Sequence, residues 1–380
     1  PAQVNAQYSD LGDIAMFHVM LNGLKDCDVV EYTSDEKYTK KKYNVITIPF
    51  GFKGLLKTLK EIYSSDLVIV GGGDVIQDKS SILILPFNLS RTILALMLGK
   101  PVMASGIGVD DKKEISWFGR KLSRIVLNKY KLITVREPVS KEVLRELGIN
   151  RPKVIVTADT ALGLKQVNEK KVKEIFEKEG IKEKDLVGIF IRSTFHRTNS
   201  LIPFAIKKKL GLLLGKYKIE VKNFCDNVAS ALDYLIEKYK VGIIFMYAFP
   251  KGSVSTYDDE MTQNISNLIK NKDKIKIIEK AYEPEEIKAI VAKMRILIGI
   301  PLHAIIIGSS AGVPVLDINY AAKVKRYMRL IGQENCIVEI RELAQKNNSH
   351  LLKKKIDYIM QNRSEIRKTI EKNIEVLRKQ

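Results

Sequence analysis

One histidine interrupts the apolar stretch GIPLHAIIIGSSAGVPVL, residues 299–316. The pattern starts a helix near Leu302, which puts His303 in its first turn. An imidazole there can give or take a proton near neutral pH, and the helix dipole favours its neutral form. The other reading is a core histidine hydrogen-bonded to a carbonyl. A second group lies in FIRSTFHR, 190–197, where Arg192, His196 and Arg197 follow an apolar run. Cations past the end of a strand suit an anionic ligand through charge-assisted, bidentate bonds. Surface ion pairing is the alternative. A third is GGGD, 71–74, where Gly72 and Gly73 allow close approach of a ligand or a second backbone. Helix N–H groups after the turn would face the ligand. Asp74 repels phosphate, and the stretch lacks both the Lys-Ser/Thr pair of a Walker loop and the GxGxxG spacing. A hydroxyl-bearing acceptor fits there better than a nucleotide phosphate; a plain tight turn is the alternative.

These groups need strand ends to carry them. SDLVIVGGGD (65–74), KPVMASGIGVD (100–110), LITVREPVSKEVLREL (132–147) and PKVIVTADTAL (152–162) are short apolar runs, several ending in glycine and spaced by helical segments. That alternation predicts a parallel sheet covered on both faces. At 165–185 the chain turns charged and helical, and the pattern restarts at 186–194, 241–249, 274–279, 295–300 and 313–320. With 380 residues, the expected division is 1–164, 165–345 and a C-terminal helix over 346–380. Two α/β halves with a cleft between them place ligands outside the carboxyl ends of the strands. In SILILPFNLSRTILALMLG (81–99), Pro86, Asn88 and Arg91 argue against a bilayer span and for a loop or strand piece followed by a buried helix. In the tail, Leu352, Ile356, Ile359, Ile366, Ile370, Ile374 and Leu377 fall on one face of a long amphipathic helix. That face can pack back across the domains or lie on a membrane.

A net charge of +20 favours acidic partners: nucleic acid, phosphorylated metabolites or anionic lipid. No zinc finger, RNP motif or other nucleic-acid signature is present, so nucleic acid is not the expected partner. Peripheral contact with an anionic membrane and an oligomer are both left open. Three scattered cysteines, Cys27, Cys225 and Cys336, make neither a disulfide framework nor a zinc site and point to a reducing compartment. No signal peptide is visible, and a start at Pro1 rather than methionine suggests that the natural N-terminus lies upstream.

GDIA (12–15), GGGDVIQD (71–78), GKPVMASGIGVD (99–110), ITVREPVSKEVLRELGI (133–149), VTADTAL (156–162), GIFIRS (188–193) and IPLHAIIIGSSAGVPVLDINYAAKVKRYMRLIG (300–332) occur in an order that resembles the polysaccharide pyruvyltransferase family. The resemblance implies a GT-B-like fold, α/β with two Rossmann-like domains whose parallel sheets face a cleft, the first on the acceptor side and the second on the donor side. It implies a cytoplasmic transferase of cell-surface glycan synthesis that moves a pyruvyl group from phosphoenolpyruvate onto paired sugar hydroxyls as a ketal. The acceptor would be a glycan or a lipid-linked glycan. No cofactor and no metal are implied. Arg192 matches a functional arginine of the family, and Leu302 and His303 match the last two residues of an Arg-Leu-His triplet. Pro301 stands in place of the triplet's arginine, and Arg295 in place of an aspartate before it. The expected catalytic residues are therefore His303 and Arg192. Asp13, Gly72, Gly73, Asp74, Leu302 and Arg197 are expected at the substrate, with Arg295 or Lys323 supplying the missing cation. The alternatives are a nucleotide-sugar glycosyltransferase with GSSAGVPV (308–315) at its donor site, and a non-catalytic protein that binds glycans or anions.

Overall fold

The computed structural model describes residues 10–33, 35–51, 54–78, 83–194, 215–248 and 256–380. His196 and Arg197 lie outside the described residues. The chain divides into two compact units, Pro1–Leu164 with Leu377–Gln380, and Lys165–Val376.

The first unit runs α1 (Leu11–Gly23), β1 (Val30–Thr33), α2 (Glu36–Tyr43), β2 (Ile46–Pro49), α3 (Leu55–Ser64), β3 (Val68–Val70), β4 (Gly73–Ile76), α4 (Ile84–Met97), β5 (Val102–Val109), α5 (Trp117–Leu127), β6 (Leu132–Val135), α6 (Pro138–Glu146) and β7 (Lys153–Val156). Its main sheet is ordered β3-β5-β6-β7, with β4 also on β5, and β1 and β2 form a separate pair. Every pairing is parallel. Buried Val, Ile and Leu side chains of these strands and of α4–α6 form the core.

The triple glycine corrects one expectation. It does not turn into a helix. β3 and β4 both lie along β5, so Gly71 and Gly72 form a kink between two short strands on the same neighbour. The glycines are needed for packing: a Cβ on Gly72 would come within 2.7 Å of Met16 Sδ in α1, and Gly73 has φ +101°. The apolar run before residue 99 becomes α4, whose outer flank is exposed at Leu83, Phe87 and Met97 rather than buried all round.

The second unit runs α7 (Glu169–Glu179), β8 (Leu186–Phe190), α8 (Gly215–Tyr239), β9 (Gly242–Met246), α9 (Thr256–Leu268), β10 (Ile275–Ile277), α10 (Pro284–Val291), β11 (Met294–Gly299), α11 (Leu302–Ser310), β12 (Val315–Asn319), α12 (Ala322–Leu330), β13 (Ile337–Glu339), α13 (Ile340–Leu343), α14 (Ser349–Gln361) and α15 (Arg363–Arg378). Its six parallel strands are ordered β10-β9-β8-β11-β12-β13. Every residue of β8, β9 and β12 is buried, as a sheet covered on both faces requires. Pro284 opens α10 behind a Glu283–Glu286 capping box.

The single C-terminal helix expected from the sequence is two helices, α14 and α15, separated at Asn362. All seven apolar residues read from the tail are 6% exposed or less. They pack into protein and not onto a membrane. The tail is no separate piece: it belongs to the second unit as far as Val376. Among the described residues no helix is long and apolar enough to cross a membrane.

Candidate functional site

The strand order of the second unit singles out one place. From β8 the chain steps outward to β9 and β10; from β11 it steps the other way to β12 and β13. β8 and β11 are neighbours, so the order reverses between them, and ligands of such sheets bind at the carboxyl ends of the strands at that point. Gly299 pairs with Phe190 in register, and the Ile300 N–H donates to the Phe190 carbonyl at 3.0 Å. Arg192 follows Phe190 by two residues and His303 follows Gly299 by four. The structure therefore brings these two expected residues to adjacent strand ends, with neighbouring strands about 4.8 Å apart.

Each is held from behind. Arg192 is half-exposed between buried Ile191 and buried Ser193. The Ser193 N–H donates to Asp258 Oδ1 at 2.7 Å, and Asp258 is itself buried at the start of α9. Sequence reasoning missed Asp258, which lies 65 residues from Ser193. On the other strand, Pro301 is the N-cap of α11. Its carbonyl accepts from the N–H groups of Ala304 at 3.1 Å and Ile305 at 3.3 Å. Of the nine residues of α11, eight are buried and His303 alone is half-buried, with its Nε2 shielded from solvent. Ile305–Ile307 fill the core, so the core does not need the imidazole for volume. The Leu302 side chain is buried, 5% exposed. Its N–H belongs to the first helical turn, where amides lack intrahelical partners.

The two candidate cations separate. Lys323 is half-exposed in the first turn of α12, just past β12. It is on the same rim as His303, on the next strand. A cation in a first turn opposes the helix dipole, so helix stability does not explain it. Arg295 is at the wrong end of β11. It is the extra residue where pairing with β8 shifts between Met294 and Ile296. Its Nη1 lies 3.8 Å from Asp185, just ahead of β8, and its carbonyl accepts from Arg363 Nε at 3.0 Å. Four residues of strand, about 13 Å, separate it from Gly299. The proposed donor-site stretch GSSAGVPV is misplaced in the same way. Ser309 and Ser310 lie in the last turn of α11, buried, with Ser309 Oγ 2.6 Å from the Tyr327 hydroxyl and Ser310 Oγ donating to the Ile307 carbonyl at 2.9 Å.

A second polar cluster lies at the strand ends of the first unit. Arg136, just past β6, bonds Asp74 of β4 through Nη2 and Asp159, beyond β7, through Nη1 at 3.2 Å. Arg136 and Asp159 side chains are 6% and 1% exposed, and Asp74 is 21% exposed. Burial alone would favour loss of the guanidinium proton; Asp74, Asp159 and Glu137 outweigh it and hold Arg136 charged. Gly108 makes room for this cluster, because a Cβ there would lie 2.6 Å from Arg136 Nη2 and 2.7 Å from Asp74 Oδ1. Asp74 thus has a structural partner that the sequence reading did not supply. Asp13 is half-buried in the first turn of α1, one turn before Met16. Among the described residues no group of His, Cys, Asp and Glu is placed to hold a metal ion.

Known proteins resemble this chain in sequence and fold. The amylovoran biosynthesis protein AmsJ of Erwinia amylovora is 24% identical over 318 residues, covering 82% of this chain and 69% of its own length. HepE of Anabaena, solved with UDP-glucose, aligns at a TM-score of 0.59 and 12% identity over 99% of this chain and 92% of its own. The UDP-GlcNAc 2-epimerase of Methanocaldococcus jannaschii aligns at a TM-score of 0.61 and 15% identity over 91% and 89%. These structures share the α/β, GT-B-like fold with this chain. The sequence itself matches the polysaccharide pyruvyl transferase family over residues 10–321, and so the chain belongs to that family.

Proposed function

We propose that the protein transfers a pyruvyl group from phosphoenolpyruvate to two hydroxyls of a sugar, in a glycan or its lipid-linked precursor, and leaves it as a ketal. The observation that carries this reading is the placement of Arg192 and His303, both half-exposed, just beyond the carboxyl ends of the two strands that flank the reversal of strand order. In the proposed reaction His303 gives a proton to C3 of the donor, turning the methylene into a methyl group. One sugar hydroxyl attacks C2, the C–O bond to phosphate breaks, and the second hydroxyl closes the ketal. Of the two hydroxyl protons released, one leaves with inorganic phosphate and the other restores the imidazole. The reaction is written with no metal and no cofactor.

Arg192 binds the carboxylate or the phosphate, for which a planar guanidinium is well shaped. Lys323 takes the place that Arg295 cannot reach and supplies the second cation. The acceptor is assigned to the first unit, where Asp74 is the most exposed of the three bonded charges and accepts from a sugar hydroxyl.

The test is release of inorganic phosphate from phosphoenolpyruvate in the presence of sugar acceptors, free and lipid-linked. Release that depends on both an acceptor and His303 supports the proposal. Absence of release with every acceptor, together with a thermal shift on binding a nucleotide sugar, would favour a glycosyltransferase. A shift with glycan or anion and no turnover of any donor would favour a binding protein.

A further inference from the structure

We infer that α3, α4 and α5 of the first unit form a docking face for an anionic lipid bilayer. Each helix buries one side and leaves an apolar stripe on another. In α3, Thr58 and Ile62 are buried, whereas Leu56, Leu59 and Tyr63 are exposed. Their spacing of three and then four residues aligns them on one face. In α4, Leu85, Leu89 and Thr92 are buried, whereas Phe87, Met97 and the N-cap residue Leu83 fall on a separate face and are exposed. In α5, Gly119, Ser123 and Val126 are buried, whereas Trp117 and Ile125 are exposed two turns apart. The largest exposures are 81% at Leu56, 79% at Met97 and 72% at Trp117. Single exposed apolar residues are ordinary, but stripes on three successive helices are not.

The stripes belong to one surface. α4 packs on α5, and the two come close at Gly119, where a Cβ would lie 3.1 Å from Leu85. α3 joins at its end: Lys100, three residues past Met97, holds its Nζ 5.4 Å from the ring centre of Tyr63.

Charge identifies the occupant. The three helices carry Lys57, Lys60, Arg91, Arg120, Lys121 and Arg124 against one acidic residue, Glu61; of the cations, Arg91 stacks on the Tyr32 and Phe50 rings, which leaves the other five for the face. Lys121 lies one turn from Trp117, with its Nζ 5.3 Å from the indole. Apolar side chains, a tryptophan and interspersed cations on one face are what a helix at an anionic lipid interface presents. A second copy of the chain would oppose like charges across the same face, so self-association is disfavoured.

Trp117 is the single tryptophan of the chain, so it reports on its own face. The test adds vesicles of phosphatidylglycerol or of phosphatidylcholine to the intact chain. The expected result is a blue shift of tryptophan emission and co-sedimentation with phosphatidylglycerol alone, weakening as salt screens the attraction. The double variant Leu56→Glu with Met97→Glu should bind at least tenfold more weakly and melt with the parent. If it melts lower, Phe87→Ser in its place should show the same direction of loss. Lys353→Glu with Lys354→Glu, on α14, should bind like the parent. The inference is overturned if anionic vesicles leave the emission unchanged at low salt. It is equally overturned if the α14 variant loses binding while the α3–α4 variant keeps it, or if Trp117 becomes buried in a concentration-dependent dimer without lipid.

Discussion

At the strand ends of the first unit, Arg136 is locked between Asp74 and Asp159. In the second unit, Arg192, His303 and Lys323 are each half-exposed just beyond the carboxyl ends of three neighbouring strands. Both clusters occupy the same position in a parallel sheet. They differ in what satisfies them. The first is compensated inside the fold: two carboxylates bracket one guanidinium, and a glycine is kept small to admit them. The second brings together two half-exposed cationic side chains and a half-buried imidazole whose Nε2 is shielded from solvent. A buried cluster shapes a rim, whereas a half-exposed cationic one leaves surface on which an anion can be received. Position at the end of a sheet is therefore not enough to assign a role, and substitutions should separate the two clusters.

The largest effect is expected at His303. His303→Ala should lower phosphate release by about 10²–10⁴-fold, the usual range for loss of a general acid. Its melting temperature should stay close to the parent's, because the neighbouring isoleucines already fill the core. A variant that melts several degrees lower while the remaining folded fraction stays active would make the histidine structural.

Arg136 should behave in the reverse way. Arg136→Ala leaves Asp159 buried and Asp74 partly buried with no counter-charge between them, at a cost of about 3–5 kcal/mol of stability. Denaturant titration measures this directly. Arg136→Lys should recover only part of the loss, since a single ammonium cannot reproduce a forked guanidinium held by two carboxylates. An Arg136→Ala protein as stable as the parent would break the comparison, because the first cluster would then not be holding its rim.

These clusters were unequally legible in the sequence. His303 could be read because the one ionisable residue in an otherwise uncharged helix stands out by type. The strands of the second unit could be read because strands buried on both faces are continuous apolar runs. The Asp74–Arg136–Asp159 cluster could not be read, although all three residues lie in motifs noted for the resemblance. It depends on β4 and β6 flanking β5, which is a matter of strand order. Asp258 depends on a contact across 65 residues. Arg295 was misjudged because eight residues separate it from His303 in sequence, yet most of a strand lies between them. β1, β2 and β13 are only four, four and three residues long and carry too few positions to show a period. Asn362 interrupts the tail without disturbing its apolar spacing, so the break was invisible.

A smaller effect sharpens the exposed cluster. Lys323→Met should raise the KM for phosphoenolpyruvate by about tenfold, equivalent to about 1.4 kcal/mol, the scale of one hydrogen bond to a charged group. It should change kcat less. Steady-state kinetics at fixed acceptor separate the two constants. Equal KM values for parent and variant would remove Lys323 from the anion site and leave Arg192 as its cation.

The effect that touches activity least concerns a group that belongs to neither cluster. Asp317 lies in the middle of β12, fully buried, and neither carboxyl oxygen has a hydrogen-bond partner. Burial pushes its pKa well above the usual carboxylate range; Glu339 adds to the rise, and Lys325 opposes it. Asp317 and Asn319 share a face of the strand. The Asn319 amide donates to Glu339 at 3.1 Å, and Lys325 pairs with Glu339 at 2.8 Å, so the nearby polar groups are committed to one another. In the unfolded chain Asp317 titrates near 4; in the fold it keeps its proton to higher pH. Between those two values the folded state binds more protons than the unfolded state. Stability therefore falls as pH rises from about 4, by at most about 1.4 kcal/mol per pH unit for one group, and levels off above the folded pKa. Asp317→Asn removes that titration while keeping the shape. The difference in unfolding free energy between variant and parent should then grow in the variant's favour as pH rises through this window. A difference that stays flat with pH would mean that the Asp317 carboxyl ionises in the fold as it does in the unfolded chain, with a compensating partner that the β12 surroundings supply.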